Sequence, residues 1–327
     1  MTSTNLVDLF RALPLPPAGA LSAQAVPGST MYRVARNESG AAQFLISVNE
    51  EALDAAGHQL RHIAYFPRQD AVIEEAGHPR REGRFTVIAC KEEDEELEPY
   101  FFRLIAMLVD ELGPEPNTGS IRATIEGILE LFRALERPGT SSIQGLWAEL
   151  FLISRSPDVT VAVAAWHALP AEKFDFVAGD QRLEVKSTLD ELRVHEVALE
   201  QIRPVTSGDT LLVSFQLRRD REGASVSDLV EAIRERAPGA DAMKRVETVV
   251  ARSLGEGWME SATTSFSVED ALASMRVYDA LSVPSVNPDF PAEVSHVRFS
   301  VDLSTIAGMD ACEARSRGRL FEAMLPI

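Results

Sequence analysis

The sequence predicts a mixed α/β protein of the α+β kind, and three features of the 327-residue chain support this fold class. Strand-like runs dominate from about residue 31 to residue 90, and two amphipathic helices follow them. Residues 139–222 then predict the order helix, strand, strand, helix, strand. We therefore expect a β-rich N-terminal domain with two following helices (1–138), a core with a mixed central sheet flanked by helices (139–222), and an α+β extension packed with that core (223–327).

The N-terminal part begins with about 30 residues rich in Pro, Ala and Ser, which predict an irregular arm with one short helix. Apolar or alternating runs between Gly, Pro and Asn breakers then predict a small antiparallel sheet. The predicted strands are Met31–Val34, Ala42–Val48, His62–Phe66 and Arg84–Cys90. The predicted helices are Glu50–Gly57, Pro99–Leu112 and Ser120–Glu136, and glycine–proline pairs stop the last two.

The central part begins with a helix whose N-cap is Thr140, Ser141 or Ser142. Its apolar stripe is Ile143, Leu146, Trp147, Leu150 and Phe151, and Glu149 lies at the edge of this stripe. A hairpin, a short helix at Glu196–Ile202 and a strand at Thr210–Leu217 follow. The C-terminal part predicts helices at Ser225–Arg236 and Asp241–Leu254, and strands at Thr264–Val268, Met275–Leu281 and Val294–Val301.

The hairpin at Lys173–Ser187 is the most informative segment of the chain. Gly179-Asp180 is a two-residue turn signal, and a turn there places Asp175 directly opposite Glu184. One face of the hairpin then carries Phe174, Phe176, Leu183 and Val185, and the other carries Asp175, Arg182, Glu184 and Lys186. Opposed like charges destabilise a sheet, so a bound divalent cation is the natural reason for the two carboxylates. With Lys186 beside them, these residues indicate the chemistry of a metal-dependent phosphodiesterase.

Composition restricts the class of protein and its surroundings. The formal net charge is −18, whereas general nucleic-acid binders are usually basic. Residues 182–221 are nevertheless balanced, with seven basic and seven acidic side chains. The sequence has neither an apolar run long enough for a membrane span nor a signal-peptide pattern, and its two cysteines predict neither a disulfide framework nor a zinc site. We expect a cytoplasmic protein.

These residues resemble the PD-(D/E)XK phosphodiesterase superfamily, which has the restriction-endonuclease-like fold. The similarity rests on Phe174-Asp175, on Glu184-Val185-Lys186 and on Glu149 in the preceding helix, and it covers about residues 140–220. Phe174 departs from the pattern, since the motif has proline there. Gly145–Leu150 together with His195 and Gln201 is similar to a bacterial branch of the superfamily, often encoded near restriction-modification or phage-defence genes.

The resemblance implies specific roles. Asp175, Glu184 and the Val185 backbone carbonyl would bind Mg²⁺, for which Mn²⁺ would substitute, and Glu149 would complete the metal shell. Lys186 would orient or activate the attacking water, and His195 and Gln201 are auxiliary candidates. It further implies a DNA endonuclease of a restriction or phage-defence system, with partner proteins from its operon and with homodimers common among relatives.

Three alternatives remain open at the level of sequence. The acidic surface favours a catalytically inactive nuclease fold that serves as a binding or assembly subunit of a defence complex. An enzyme directed at RNA or nucleotides has the same sequence features. Taken alone, the hairpin charges could also be solvent-facing residues of an edge hairpin.

Overall fold

The computed structural model describes residues 3–47, 56–91, 97–167, 173–203, 207–236, 239–286, 291, 294 and 296–326. The chain divides into two compact units, Met1–Arg137 and Pro138–Ile327. Helices and mixed sheets make up the described residues, which confirms the predicted fold class. Residues 50–55 of the helix predicted at Glu50–Gly57 lie outside the described residues. Within the described part of the chain, no helix has the length and apolar character needed to span a bilayer.

The first unit holds one sheet and three helices among its described residues. Its elements are α1 (Ser3–Arg11), β1 (Leu21–Ala25), β2 (Tyr32–Arg36), β3 (Ala42–Ser47), β4 (His58–Gln59), β5 (Ile63–Glu74), β6 (Arg81–Cys90), α2 (Glu98–Leu112) and α3 (Thr118–Ala134). The strand order is β1-β2-β3-β6-β5-β4, and a parallel pairing of β1 with β5 closes the sheet on itself. Leu45, Ala64 and Val87 pack in its core.

The predicted strands of this unit are found, but β4 (His58–Gln59) is not among them, and β1 and β5 also differ from the prediction. Strand β1 occupies Leu21–Ala25, inside the segment predicted as an irregular arm. It is short, and its pairing partners lie on β2 and β5, so the sheet rather than the local pattern decides its conformation. Strand β5 also extends from Ile63 to Glu74, well past the predicted His62–Phe66, because β6 pairs with it along most of this length.

The second unit carries a four-stranded sheet and two short ribbons. Its elements are α4 (Ile143–Arg155), α5 (Val159–Ala165), β7 (Phe176–Ala178), β8 (Gln181–Thr188), β9 (Val194–Ala198), α6 (Leu199–Ile202), β10 (Thr210–Gln216), β11 (Arg219–Ser225), α7 (Val226–Arg236), α8 (Ala240–Leu254), α9 (Trp258–Thr263), β12 (Ser265–Phe266), α10 (Val268–Ser274), β13 (Arg276–Asp279), β14 (Arg298–Asp302), α11 (Ala311–Ser316) and α12 (Arg319–Met324). The sheet order is β13-β10-β8-β7, with β8 and β10 parallel and the two outer pairs antiparallel.

The central sheet of this unit is covered on both faces. On one face, Phe215 of β10 meets Phe151 of α4 with their ring centroids 5.7 Å apart, and Trp147 stacks on Phe151 at 4.8 Å. On the other face, Leu212 of β10 packs with Val301 of the antiparallel β9–β14 ribbon. Burial on both faces explains why the middle of β10, Leu211–Val213, is a continuous apolar run.

Several predictions for the second unit are wrong in detail. The helix predicted at Glu196–Ile202 is strand β9 up to Ala198 and becomes helical only at Leu199, because pairing with β14 holds Val194–Ala198 extended. The strand predicted at Thr264–Val268 is limited to Ser265–Phe266, since Ser267 caps α10 by accepting the Asp270 amide. Helices α5, α9, α11 and α12 are short, which leaves a weak periodic signal in the sequence.

Candidate functional site

Helix α4 brings Glu149 into the interior. The Ser142 hydroxyl caps this helix by accepting the Gly145 amide at 3.0 Å, so the third of the three candidate caps is the one used. Residues 146–154 are all buried, and Glu149 is only 7% exposed rather than at a solvent-facing edge. Its Oε2 accepts a hydrogen bond from the Trp166 indole N–H at 2.6 Å. The buried carboxylate is therefore held in one orientation.

The hairpin has the predicted register. Ala178 pairs with Gln181, Val177 with Arg182 and Phe176 with Leu183, and Gly179 takes the positive φ (64°) that this turn requires. The ladder of β7 and β8 ends at the Phe176–Leu183 pair, one residue before the expected opposition of Asp175 and Glu184.

Beyond that last pair, a hydrogen bond from the β8 backbone to the Asp175 side chain takes the place of backbone pairing. Its Oδ2 accepts the Val185 amide at 2.6 Å. Asp175 is thus tied to the backbone of β8, with its Oδ1 left to face the site. The contact found at Val185 is made by its N–H, whereas the role expected for Val185 was that of its carbonyl.

Glu184 and Lys186 form the second part of the site. Glu184 is 3% exposed, and its Oε1 accepts hydrogen bonds from Lys186 Nζ at 2.7 Å and from Gln201 Nε2 at 2.6 Å. Gln201 is held in turn, because its Oε1 accepts the Ala198 amide and its Nε2 also donates to the Lys173 carbonyl. Among the described residues, the buried Oε2 of Glu184 has no hydrogen-bond partner.

Burial shifts the titration of all three carboxyl groups upward. The pKa of Glu149 rises well above its usual range, first through desolvation and then through the negative charge of Asp175. Desolvation raises the pKa of Asp175 to about 6, although Lys186 and the Val185 amide oppose the shift. Desolvation followed by repulsion from Asp175 raises the pKa of Glu184 to about 8.

Lys186 remains cationic in this environment. Burial lowers the pKa of its amine, but the carboxylates of Glu184 and Asp175 outweigh burial and leave the pKa above its ordinary value. Three carboxyl groups therefore face one ammonium group, and their full ionisation leaves two uncompensated negative charges. Such a site favours a divalent cation.

His167 belongs to this site, although the sequence analysis does not predict it. Its Nδ1 lies 3.8 Å from Glu149 Oε2 and 4.0 Å from Asp175 Oδ1. These three side chains form a group whose ligand atoms all lie within 4.8 Å of one another. His167 precedes Asp175 by eight residues and has no metal-ligand spacing, so the sequence carries no signal for it.

His195 lies outside the carboxylate cluster. It sits on β9, 4% exposed, and its Nε2 is 2.7 Å from the Ser214 hydroxyl, to which the Arg193 guanidinium also donates. Burial lowers the pKa of His195 to about 4, and the charges of Arg193 and Lys186 add to this shift, so the imidazole is neutral near pH 7. Ser214 pairs with Lys186 across β10 and β8, so His195 reaches the neighbourhood of the lysine through its contact with Ser214.

The donor set fits a divalent metal ion. Carboxylate oxygens are the preferred ligands of hard divalent cations, and the partnerless Oε2 of Glu184 is a buried acceptor of the kind that such an ion satisfies. Glu149 and Asp175 could supply oxygen ligands and His167 a nitrogen ligand, because their ligand atoms lie within 4.8 Å of one another. Glu184 lies outside this group of three, and it adds a fourth possible donor through its buried Oε2. Lys186 and Gln201 lie beside them and are hydrogen-bond donors to Glu184.

Comparison with known proteins adds one finding. A family model described as "Putative PD-(D/E)XK family member, (DUF4420)" matches residues 8–304, which is most of the chain. No curated protein and no solved structure matches the chain.

Proposed function

This chain belongs to the DUF4420 family of PD-(D/E)XK proteins, and from that premise we propose that it is a Mg²⁺-dependent phosphodiesterase that cleaves DNA. The observation that carries the proposal is the cluster of the buried Glu149 and Glu184 and the part-buried Asp175 beside Lys186. Burying three carboxyl groups together is costly, and a fold without a bound cation has no evident use for it. The cluster includes every residue that the superfamily motif assigns to catalysis.

Each residue of the cluster has a role in the proposed reaction. Asp175 and Glu184 hold the ion, and Glu149, oriented by the Trp166 indole, supports it. The bound ion would lower the pKa of a coordinated water and offset the charge of the phosphate. Lys186 carries a positive charge, so it donates hydrogen bonds to the attacking water or to a phosphate oxygen, and stabilises the negative charge that develops in the transition state. Gln201 donates a hydrogen bond to Glu184 Oε1, the atom that Lys186 also contacts, and so orients the Glu184 carboxylate.

The proposed biological setting is a bacterial restriction or phage-defence system in the cytoplasm. It rests on the similarity of Gly145–Leu150, His195 and Gln201 to a branch of the superfamily encoded near such genes. Partner proteins from the same operon, and a second copy of the chain, belong to this proposal.

The runner-up is an inactive nuclease fold that acts as an assembly subunit. The formal net charge of −18 favours it, because an acidic protein gains little from the phosphate backbone and would take its DNA affinity from a partner. In that case a stoichiometric complex with a neighbouring gene product would form equally well with Asp175→Ala.

A cleavage assay with purified protein tests the enzyme. Plasmid and linear DNA would be incubated with Mg²⁺ or Mn²⁺, alone and with operon partners. We expect Asp175→Ala, Glu184→Ala and Lys186→Ala each to lower the cleavage rate by about 100-fold or more. The matched control is Asp180→Asn, which changes an exposed acid at the turn of the same hairpin and leaves the rate unchanged. Absence of cleavage under all these conditions would refute the proposed DNA nuclease.

A further inference from the structure

A short backbone pairing fixes His167 next to Asp175. Trp166 bridges Phe176 in antiparallel fashion, and the His167 amide donates to the Asp175 carbonyl at 2.8 Å. The Trp166 carbonyl also accepts a hydrogen bond from the Arg245 guanidinium, and the Trp166 amide donates to Ala162. Backbone hydrogen bonds of Trp166 and His167 therefore fix the position of the His167 main chain beside Asp175.

The separations of the imidazole from the two carboxylates match those of ligands on one ion. His167 Nδ1 lies 3.8 Å from Glu149 Oε2 and 4.0 Å from Asp175 Oδ1, both longer than a hydrogen bond. Metal–ligand bonds of about 2.0–2.2 Å place two ligands of the same ion roughly 3–4.3 Å apart. One ion between the three atoms satisfies both separations.

The surroundings hold the two carboxylates in this arrangement. The Trp166 indole donates a hydrogen bond to Glu149 and fixes its carboxylate. The Val185 amide donates to the Oδ2 of Asp175, which leaves the Oδ1 of Asp175 facing His167. Partners of this kind orient metal ligands and raise affinity. Glu184 is not one of the three residues with mutually close ligand atoms, but its charge raises the pKa of Glu149. Its buried Oε2 has no hydrogen-bond partner among the described residues, which is a second sign of a cation near these carboxylates.

We propose that His167 is a ligand of the same divalent ion as Glu149 and Asp175, and that its nitrogen makes the centre discriminate in favour of Mn²⁺ against Mg²⁺. This inference rests on the metal centre of the proposed function. Mg²⁺ takes oxygen ligands almost exclusively, whereas imidazole binds transition-metal ions well. His167 therefore adds affinity for Mn²⁺ and little for Mg²⁺.

Calorimetric titration of Mn²⁺ and Mg²⁺ into the metal-free full chain tests the proposal. We expect His167→Ala to weaken Mn²⁺ binding by at least about tenfold and Mg²⁺ binding by far less, so that the ratio of the two affinities falls. His167→Asn keeps an oxygen donor near the position of Nδ1, and we expect it to retain Mg²⁺ binding while losing the preference for Mn²⁺. Pulsed EPR of bound Mn²⁺ should detect a directly coupled nitrogen in the wild type and none in either variant.

Two controls separate the possible failures. His78→Ala removes an exposed imidazole of the first unit and should change neither affinity. Asp175→Ala should abolish binding of both ions, and if it does not, the metal centre of the proposed function is itself wrong. If Asp175→Ala abolishes binding but the His167 variants, folded by circular dichroism, keep the wild-type ratio and nitrogen coupling, then His167 is not a ligand and only the present inference fails.

Discussion

Three carboxyl groups within one site, the buried Glu149 and Glu184 and the part-buried Asp175, dominate the chemistry at the residue scale. Desolvation raises the pKa of each of them, and repulsion between them raises the pKa of Glu149 and Glu184 further. Lys186 offsets only part of this cost. The folded protein without metal therefore carries a destabilising cluster, as sites built for function often do. The carboxylate that can be exchanged most conservatively is Asp175, because asparagine keeps an acceptor for the Val185 amide.

We expect Asp175→Asn to stabilise the metal-free protein by about 1–3 kcal/mol at pH 8. The folded-state pKa of Asp175, about 6, lies above the ordinary value of 3.8, so the folded state of the wild type binds the proton more tightly. The stability that this proton contributes is fully present below about pH 4 and is lost as the pH rises through about 6. The difference between variant and wild type should thus be smaller at pH 5 than at pH 8. Urea denaturation in the presence of a chelator at both pH values measures it, and a variant no more stable than the wild type at pH 8 would contradict the assigned burial cost.

At the scale of elements, the site depends on how the β7–β8 hairpin is seated. Strand β8 runs parallel to β10, and the residues just before β10 lie against the hairpin turn, where the Arg182 amide donates to the Asp209 carbonyl. Gly208 lies there with φ 136°, and a Cβ on it would stand 2.1 Å from the Asp180 carbonyl oxygen. Gly179 in the turn itself also has positive φ, but a Cβ there would meet nothing within 4 Å. Alanine at either position would have a strained backbone, but only alanine at Gly208 would also clash with a neighbouring backbone atom.

We expect Gly179→Ala to cost about 1 kcal/mol, which is the strain of a left-handed alanine, and Gly208→Ala to cost clearly more. The larger cost follows because the added methyl must push the backbone of the hairpin turn away from β10. Since β8 carries Glu184 and Lys186, Gly208→Ala should also weaken divalent-metal binding, whereas Gly179→Ala should leave it nearly unchanged. Chemical denaturation and calorimetry measure the two effects, and equal costs for the two variants would exclude the steric conflict.

At the scale of the whole molecule, the chain combines an acidic surface with a site that attracts cations. The net charge of −18 repels nucleic acid, and a bound divalent ion reverses this effect only locally. The proposed cluster lies wholly within the second of the two compact units. An ion that binds the folded state alone stabilises it by mass action.

We therefore expect a divalent ion to raise the temperature of unfolding of the second unit. An ion concentration 100 times its dissociation constant adds about 2.7 kcal/mol to the free energy of unfolding. Differential scanning calorimetry with and without Mn²⁺ measures the shift, and a heat-absorption peak that belongs to the first unit alone should not move. Asp175→Ala serves as the control, and an equal upward shift in that variant would mean that the ion acts elsewhere.

Local sequence patterns were enough to predict the features that local chemistry controls. The Gly179-Asp180 turn sets the register of the hairpin, because only a few residue types accept its backbone angles. The serine cap begins α4, and apolar runs mark most of the strands of both units, since burial imposes its period on the sequence. The mixed α/β fold class follows from these local patterns.

Features that depend on contacts between distant segments could not be predicted from the sequence and became visible in the folded chain. Pairing with β14 makes Val194–Ala198 a strand although a helix is predicted from Glu196, and pairing with β2 and β5 makes a strand of Leu21–Ala25. The Trp166–Phe176 bridge brings His167 to Glu149 and Asp175, and helix packing buries Glu149. The physical reason is the same throughout: a hydrogen bond or a buried face between residues far apart in the chain leaves no periodic trace in either segment alone.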